Sequence, residues 1–499
     1  MGYRPVDRDQ LFLLPPSMRD WLPPGHLALL VEDLVEQMDT SVLARPVGGV
    51  GRAAYDPDML LGLLVYGYAV GVRSSRQIEA RCETDVAFRY LCAQDVPDHT
   101  VIARFRQGHA EALKDLLGGV LVVAVRLGMG RFGHIAIDGT KIEANASKAA
   151  NAELATLRRL AAQLVDESIA VDEAEDELHG GDRGDELPPP VRDRSGRRER
   201  IAAALAKAEQ AQADRDAADA AVAARTAERV AAAEQALAAV RAAQQAKVDQ
   251  WQRRRAEDGI CPPGAPPAPV ETAHQVGKAT QRVAAAQARA ARAAAKAAGR
   301  RQPTANRTDP DSRLLPTRGG YTQGYNCMLS ASDDQLITGY HIHDNPHDAA
   351  AFLPAMRDSE HRIAHATTTA GQHLPAQRTY TADAGFDTDD NLTAEGPDRL
   401  IAERHRTQPS PRPQPANGPP PADATPRQAM AHRLATPEGR QLYQRRATTI
   451  EPVNAHLKDR IGLRRFLLRG TTGALTELGL AAIAHNIRKI HTHLHPQPA

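Results

Sequence analysis

Three acidic residues in separate segments of the chain could together bind divalent cations. Asp138 ends the short apolar run HIAID, Asp383 follows the run TYTA, and Glu451 lies in the basic helical segment YQRRATTIEPVNAHLK. Two magnesium ions about 3.5–4 Å apart can activate water or a 3′-hydroxyl for displacement at phosphorus, and magnesium prefers a few carboxylate oxygens. If the fold brings the three carboxylates together, the sequence predicts phosphoryl-transfer chemistry on DNA, with Mg²⁺ as the cation and Mn²⁺ as its substitute.

The two aspartates occupy similar local settings. Asp138 ends a run of small apolar residues that suits a buried central strand, and Gly139 follows it at once. A carboxylate at that point faces the sheet edge where active sites collect in open α/β folds. Taken singly, Asp138 before Gly139 and Asp383 before Ala-Gly are each typical of a turn.

Glu451 differs because its segment predicts a helix. Residues at spacings of three and four form a buried stripe, which consists of Ile450, Val453, Leu457 and Ile461. Glu451 lies beside the edge of that stripe. Lys458 follows seven residues later, two helical turns away, and is expected on the same face.

The segment around Glu451 is strongly basic. Its cationic residues are Arg440, Arg445, Arg446, Lys458, Arg460, Arg464, Arg465 and Arg469. After Glu438 only Glu451 and Asp459 are acidic, so few acids are at hand to pair these cations. This excess favours contact with a phosphate backbone, and we predict DNA contacts at Arg446, Lys458, Arg464, Arg465 and Arg469. The alternative is a solvated helix face.

Residues 1–125 predict a helical region. An amphipathic stripe begins near Leu27, and Asp56-Pro57 opens a helix that is apolar nearly all round. Short helical units separated by Asp, Pro and Gly follow, which fits a helix-turn-helix DNA-binding domain. Its last unit would project Arg104 and Arg106 towards DNA. The alternative is a helical bundle with solvated arginines.

The remaining chain predicts an interrupted α/β core. Residues 151–302 are rich in Ala, Arg, Glu and Gln, which favours an inserted helical hairpin or antiparallel coiled coil. This insertion serves either as a dimerisation or DNA-contacting arm or as a spacer. Residues 126–150 and 303–499 give the order β-(insertion)-β-β-α-β-α-β, the order of an RNase H-like core. Within them, the Pro-rich stretch 405–436 predicts a mobile loop.

Other features narrow the class of protein. A chain of 499 residues with 42% hydrophobic content can bury more than one core. No run reaches the roughly 18 apolar residues of a membrane span, and residues 1–10 lack a signal-peptide core, so we expect a cytoplasmic protein. The four cysteines show no zinc spacing and are expected to be reduced thiols. His341, His343 and His347 alternate along a strand end, which argues against a metal site there.

Together the acidic motifs resemble those of the DDE transposases of bacterial insertion sequences. The motif I-D-G/S-T is matched from Ile137 to Thr140, and the motif D-x-G-Y/F is matched from Asp383 to Phe386. The motif Y-x2-R-x3-E-x6-K is matched by Tyr443, Arg446, Glu451 and Lys458, except that four residues separate Arg446 from Glu451. The resemblance extends over most of 1–145 and 305–490.

The resemblance implies a transposase with Asp138, Asp383 and Glu451 as catalytic metal ligands. It would bind double-stranded DNA, both the terminal inverted repeats of its element and target DNA, as a homodimer or larger assembly associated with the nucleoid. Alternatives are an RNase H-like nuclease without strand transfer, a catalytically silent DNA-binding remnant, and a helical scaffold built on the insertion.

Overall fold

The computed structural model describes residues 17–43, 54–163, 190–258, 265–317, 319–343, 348–373, 377–403 and 416–496. The chain divides into two compact units. The first comprises residues 1–150 and 308–499, and the second comprises residues 151–307.

The first unit begins with a group of helices. These are α1 (Leu27–Gln37), α2 (Pro57–Ala69), α3 (Ser75–Thr84), α4 (Val86–Leu91), α5 (His99–Gly108) and α6 (Ala110–Arg126). The predicted start of α2 is confirmed, since the Asp56 side chain accepts hydrogen bonds from the Asp58 and Met59 amides and Pro57 occupies the first turn. Asp85 and Asp98 cap α4 and α5 in the same way. Aspartates therefore set where three of these helices begin.

A mixed sheet follows. Its strands are β1 (His134–Glu143), β4 (Arg313–Thr317), β5 (Gly320–Ser332), β6 (Ile337–His343), β7 (Thr379–Ala382) and β8 (Asp398–Ile401). β1 is central, antiparallel to β5 and parallel to β7. β6 pairs antiparallel with β5, and β8 pairs parallel with β7. The predicted succession of β1, β5, β6, β7 and β8 and the β5–β6 hairpin are confirmed, whereas β4, which pairs antiparallel with β5, is a strand that the sequence did not predict.

The prediction that the first strand ends at Asp138 is wrong. β1 continues for five more residues to Glu143, because Gly139 to Glu143 stay paired with Met328 to Gly324 of β5. The apolar pattern did not predict this extension, because the extension contains the polar residues Thr140 and Lys141. Asp138 therefore lies inside β1, just beyond the part that pairs with β7.

Helices cover the sheet and join it to the N-terminal group. They are α10 (Phe352–Thr369), α11 (Asp389–Thr393), α12 (Pro426–Ala435), α13 (Pro437–Ala455) and α14 (Gly470–Leu494). α14 packs against α2, α6 and β6, and its buried residues belong to the same hydrophobic core as the sheet. The boundary predicted at residue 125 therefore does not separate two compact units.

The second unit contains α7 (154–163 in the described part), α8 (Pro190–Asp258) and α9 (His274–Ala298). Asp219 pairs with Arg300, and Glu234 accepts a hydrogen bond from Gln287, so α8 and α9 run antiparallel. Two short strands that the sequence did not predict, β2 (Asn151–Glu153) and β3 (Thr304–Asn306), pair antiparallel at its base. No helix within the described ranges is long and apolar enough to cross a membrane.

The prediction of an unstructured loop over 405–436 is wrong in its second half. Residues 426–435 form α12, which begins with a capping box of Thr425 and Gln428 and has Pro426 in its first turn. Arg433 of α12 forms an ion pair with Asp398 of β8. The proline-rich composition masked a good helix start. Residues 404–415 lie outside the described part of the chain.

Candidate active site

Asp138 and Asp383 follow equivalent points of two adjacent parallel strands. Ala136 of β1 lies opposite Thr381 of β7, and each aspartate comes two residues later. Because the carboxyl ends of neighbouring parallel strands meet at one edge of a sheet, the two carboxylates lie at the same edge. The Asp383 side chain accepts a hydrogen bond of 2.8 Å from the Gly385 amide, which stabilises the turn after β7.

Arg446 of α13 lies between these two carboxylates. Its Nη2 atom is 2.9 Å from Asp138 Oδ1 and 4.0 Å from Asp383 Oδ2. Because both oxygens are measured from the same nitrogen, Asp138 Oδ1 and Asp383 Oδ2 are separated by no more than the sum of these two distances. The other Asp138 oxygen, Oδ2, accepts a hydrogen bond of 3.0 Å from Asn454 Nδ2. One helix thus supplies both side chains that orient Asp138.

The site carries an excess of negative charge. Burial raises the pKa of Asp138 to about 6, the Arg446 guanidinium opposes that rise, and the Asp383 carboxylate adds to it. Tyr443, one turn before Arg446, also has a raised pKa, mainly through burial. Asp138 is therefore hard to ionise, and it lies next to a second carboxylate. A bound cation would stabilise the ionised form of both side chains.

Glu451 lies on the same helix, but no hydrogen bond among the described residues links it to the two aspartates. It comes between Arg446 and Asn454 in the sequence, and its side chain is exposed. In the described part of the chain its carboxylate makes no hydrogen bond or ion pair. Asn454, three residues later and on a neighbouring part of the helix surface, contacts Asp138 instead. The sequence pattern did not predict a functional role for Asn454, although the residue lies in the Glu451 segment.

Two family models match the chain. Residues 16–108 match a family described as "Transposase domain (DUF772)", and residues 421–491 match one described as "Transposase DDE domain". Together the two matches support a DDE-type transposase of insertion sequences. Comparison with curated proteins and with solved structures gives no match.

The matched ranges cover both ends of the transposase. The first spans α1 to α5, and the second spans α12 to α14, including Arg446, Glu451 and Asn454. Asp138 and Asp383 fall outside both ranges, so their role depends on the geometry around Arg446.

The prediction that Arg106 contacts DNA is wrong for this conformation of the transposase. Arg106 is only 4% exposed, and its Nη1 atom donates to Tyr68 Oη at 3.3 Å and to the Arg73 carbonyl at 3.0 Å. Arg73 in turn pairs at 3.1 Å with Glu477, which is fully buried in α14. The arginine is therefore part of a buried ionic network. The acid of this network, Glu477, lies in the last helix. A count of charges near Arg106 in the sequence therefore could not identify it.

Glu477 also forms hydrogen bonds with the basic loop that follows Lys458, which comprises residues 461–469. Its Oε1 atom accepts hydrogen bonds from the Leu467 and Leu468 amides, and Arg73 Nη2 donates to the Gly462 carbonyl at 2.8 Å. The same loop forms backbone hydrogen bonds with Glu143 at the end of β1. The loop is thus fixed against both the N-terminal helices and the strand that carries Asp138.

The other predicted DNA contacts differ in accessibility. Arg104, Arg464, Arg465 and Arg469 are exposed, whereas Lys458 is partly buried and Arg446 is occupied at the Asp138 site. The prediction that acids are too few to pair the cations around Glu451 is wrong in four cases, since Arg445 pairs with Asp333 and Arg446 with Asp138, and two more pairs lie in the basic loop. Arg464 pairs with Asp459, and Arg465 pairs at 2.7 Å with Glu143, which comes from β1. Moreover, α13 ends at Ala455 and a π-helical turn follows, so Lys458 does not continue the regular α-helical face.

Among the described residues, one group of three possible ligands is spaced closely enough to hold a metal ion, and it includes neither Asp138 nor Asp383. The ligand atoms of Glu79, Asp98 and His99 lie within 4.8 Å of one another, and His99 Nδ1 is 2.9 Å from Glu79 Oε2. Asp98 already caps α5. The rings of His341 and His343 are 6.5 Å apart between centroids, and the predicted third member, His347, lies outside the described residues.

Proposed function

We propose that this transposase cleaves and joins DNA strands by metal-dependent phosphoryl transfer, with Asp138, Asp383 and Glu451 as ligands. The observation that carries the proposal is the position of Arg446, a cation held between the carboxylates of Asp138 and Asp383. A divalent cation would find there the oxygen ligands that Mg²⁺ prefers. It would polarise the phosphoryl oxygen and activate the attacking hydroxyl.

The donor set at this edge fits such a cation. Asn454 Oδ1 is a buried acceptor without a hydrogen-bond partner among the described residues. Buried polar atoms of this kind require an explanation, and a water or ion is the usual one. Asn454 Oδ1 would accept a hydrogen bond from a cation-bound water, while Asn454 Nδ2 orients Asp138. Glu451 would join the ligands when DNA is bound, because it lies on the helix that already presents Arg446 and Asn454.

We infer further that the sheet is an RNase H-like core. What supports this is the strand order β6-β5-β1-β7-β8, in which β1, β5 and β6 form an antiparallel meander and β7 and β8 add in parallel. The proposed active site lies at the point where the sheet changes from antiparallel to parallel pairing. Ligand sites in open α/β sheets favour such points.

The proposed DNA surface has two parts. The N-terminal helices, with Arg104 exposed on α5, would bind the terminal inverted repeats. Arg464, Arg465 and Arg469 would contact the phosphates of DNA at the active site. Because β1 and the basic loop are hydrogen-bonded, DNA held by the loop would be placed next to Asp138. Two element ends require at least two copies of the chain, so we propose assembly on DNA.

The test uses the full chain and a duplex taken from the DNA that flanks its coding region. Asp138→Asn, Asp383→Asn and Glu451→Gln should each reduce Mg²⁺-dependent cleavage at least about 1,000-fold, while the Kd for the duplex changes less than about threefold, because phosphate contacts remain. Asp390→Asn, at an exposed position of α11, is the matched control and should cleave normally.

Each alternative has a distinct result. Cleavage at the wild-type rate by Asp383→Asn would overturn the assignment of that ligand. Cleavage without joining to a supercoiled target plasmid would identify a nuclease. Wild-type DNA binding without any cleavage in Mg²⁺ or Mn²⁺ would identify a silent remnant.

A further inference from the structure

Asp348 lies between the two glycines that accompany Asp138 and Asp383. A methyl group built on Gly139 would be 3.1 Å from Asp348 Cγ and Oδ1, and one built on Gly385 would be 3.8 Å from Asp348 Oδ2. Gly139 directly follows Asp138, and Gly385 comes two residues after Asp383. The Asp348 carboxylate therefore lies close against the backbone of Gly139 and within ordinary van der Waals range of a side chain at Gly385.

A buried side chain orients this carboxylate. Asn326 of β5 is 1% exposed, and its Nδ2 atom donates a hydrogen bond of 2.6 Å to Asp348 Oδ1. Asn326 is the pairing partner of Lys141 in β1, three residues after Asp138. The carboxylate is thus tied to the sheet beside β1 and is held within the same region as Asp138.

Neither helix capping nor an ion pair accounts for a carboxylate at this position. Asp348 precedes the short 3₁₀ turn Ala349–Ala351, but its side chain makes no capping hydrogen bond there. Within the described residues it forms no ion pair. It is partly buried, and its charge adds to the rise in the pKa of Asp138 that burial mainly causes. A partly buried carboxylate without a cation destabilises the fold unless a ligand compensates it.

The charge balance of the proposed site also calls for another carboxylate. Asp138, Asp383 and Glu451 carry three negative charges, and Arg446 offsets one of them. Two divalent cations would bring four positive charges, so a fourth carboxylate reduces the excess.

We propose that Asp348 is a fourth carboxylate of the divalent-cation site, a ligand beyond Asp138, Asp383 and Glu451. This rests on the proposed function, because it assumes that the edge of β1 and β7 binds the cations. Asn326 positions Asp348, and the absence of a side chain at Gly139 allows the Asp348 carboxylate to approach the segment that carries Asp138.

The test is the Mn²⁺ affinity of the full-length chain without DNA, measured by electron paramagnetic resonance of free Mn²⁺. Asp348→Asn keeps the oxygen that accepts from Asn326 and keeps the side-chain volume. It should weaken Mn²⁺ binding at least about tenfold, the effect typical of losing a partner at a metal site. Asp390→Asn removes the same charge from an exposed position of α11 and should bind as the wild type does.

Melting curves show whether each variant is folded, and Asp348→Ser replaces Asp348→Asn by the same criterion if the latter is not. An affinity within twofold of the Asp390→Asn chain would overturn the role of Asp348. Asp138→Asn is measured in parallel to separate the two proposals. If Asp138→Asn weakens binding and Asp348→Asn does not, only the fourth carboxylate is wrong. If neither does, the proposed cation site is wrong as well.

Discussion

Replacing Arg446 with Gln would remove the cation between the two aspartates. Arg446 Nη2 is 2.9 Å from Asp138 Oδ1, and its charge is the main influence that opposes the rise in the pKa of Asp138 to about 6. An adjacent arginine lowers an aspartate pKa by about 1 to 3. Arg446→Gln should therefore raise the pKa of Asp138 further above its wild-type value of about 6.

The variant should bind Mn²⁺ more weakly at low pH and more strongly at high pH. Cation binding requires an ionised carboxylate, so near pH 6.5, where Asp138 is protonated in a larger fraction of the variant than of the wild type, affinity should fall, by about tenfold. Near pH 9 Asp138 is ionised in both proteins. The lost guanidinium no longer repels the cation, and affinity should rise several-fold. The two binding curves therefore cross.

The stability of the cation-free protein should change in the same pH range. Asp138 holds its proton to a higher pH in the folded chain than in the unfolded chain, where its pKa is near 3.8. The stability contributed by protonated Asp138 is fully present below that value and is lost as the pH rises through about 6. In the Arg446→Gln variant the pKa of Asp138 in the folded chain is higher, so this stability should be lost at a higher pH.

The assay is Mn²⁺ titration of the full chain from pH 6 to 9, followed by electron paramagnetic resonance. Arg440→Gln is the matched control, because Arg440 is an exposed arginine of the same helix that donates to the Ala435 carbonyl. Its curve should overlay that of the wild type. A constant ratio of affinities between Arg446→Gln and wild type at every pH would refute the reasoning, since it would mean that Arg446 does not control the ionisation of Asp138.

Further outcomes follow from the fold and the basic loop. Gly324→Ala should lower the free energy of unfolding by about 1–3 kcal/mol in urea titration, because the added methyl would lie 2.3 Å from a β1 carbonyl oxygen; Gly319→Ala, in open space, should change it by less than about 0.5 kcal/mol. Arg465→Ala should flatten the salt dependence of DNA affinity by about one unit of slope, and an unchanged slope would return this residue to a solvated face. A chain in which a short Gly-Ser linker replaces residues 151–307 should fold and bind single DNA ends but lose assembly of paired ends; an insoluble product would make the insertion part of the core.

The sequence predicted best the elements whose pattern is local. The β5–β6 hairpin and the strand before Asp383 have alternating or small apolar residues between polar turns, and both are observed where expected. The extension of β1 was missed because Thr140 and Lys141 break that pattern while their backbones still pair with β5.

The parts of the candidate site that depend on distant partners could not be predicted. The burial of Arg106 requires Glu477 in the last helix, and the pairing of Arg465 requires Glu143 in β1. Neither partner is near in sequence. The role of Asn454 cannot be predicted from the sequence, because its contact with Asp138 forms only when α13 packs against β1. Electrostatic partners of this kind follow from tertiary packing, whereas strand patterns follow from the chain itself.

The short β2–β3 pair has a consequence for how the protein folds. Glu143 of β1 and Gly324 of β5 pair across about 180 residues, and closing a loop of that length is entropically unfavourable. Once Asn151–Glu153 pairs with Thr304–Asn306, the insertion no longer counts as open loop, and about 26 residues remain to be closed. The difference is about 2 kcal/mol, roughly a 20-fold gain in the probability of ring closure. A helical hairpin that forms early would thus act as an internal clamp that speeds assembly of the central strand pair.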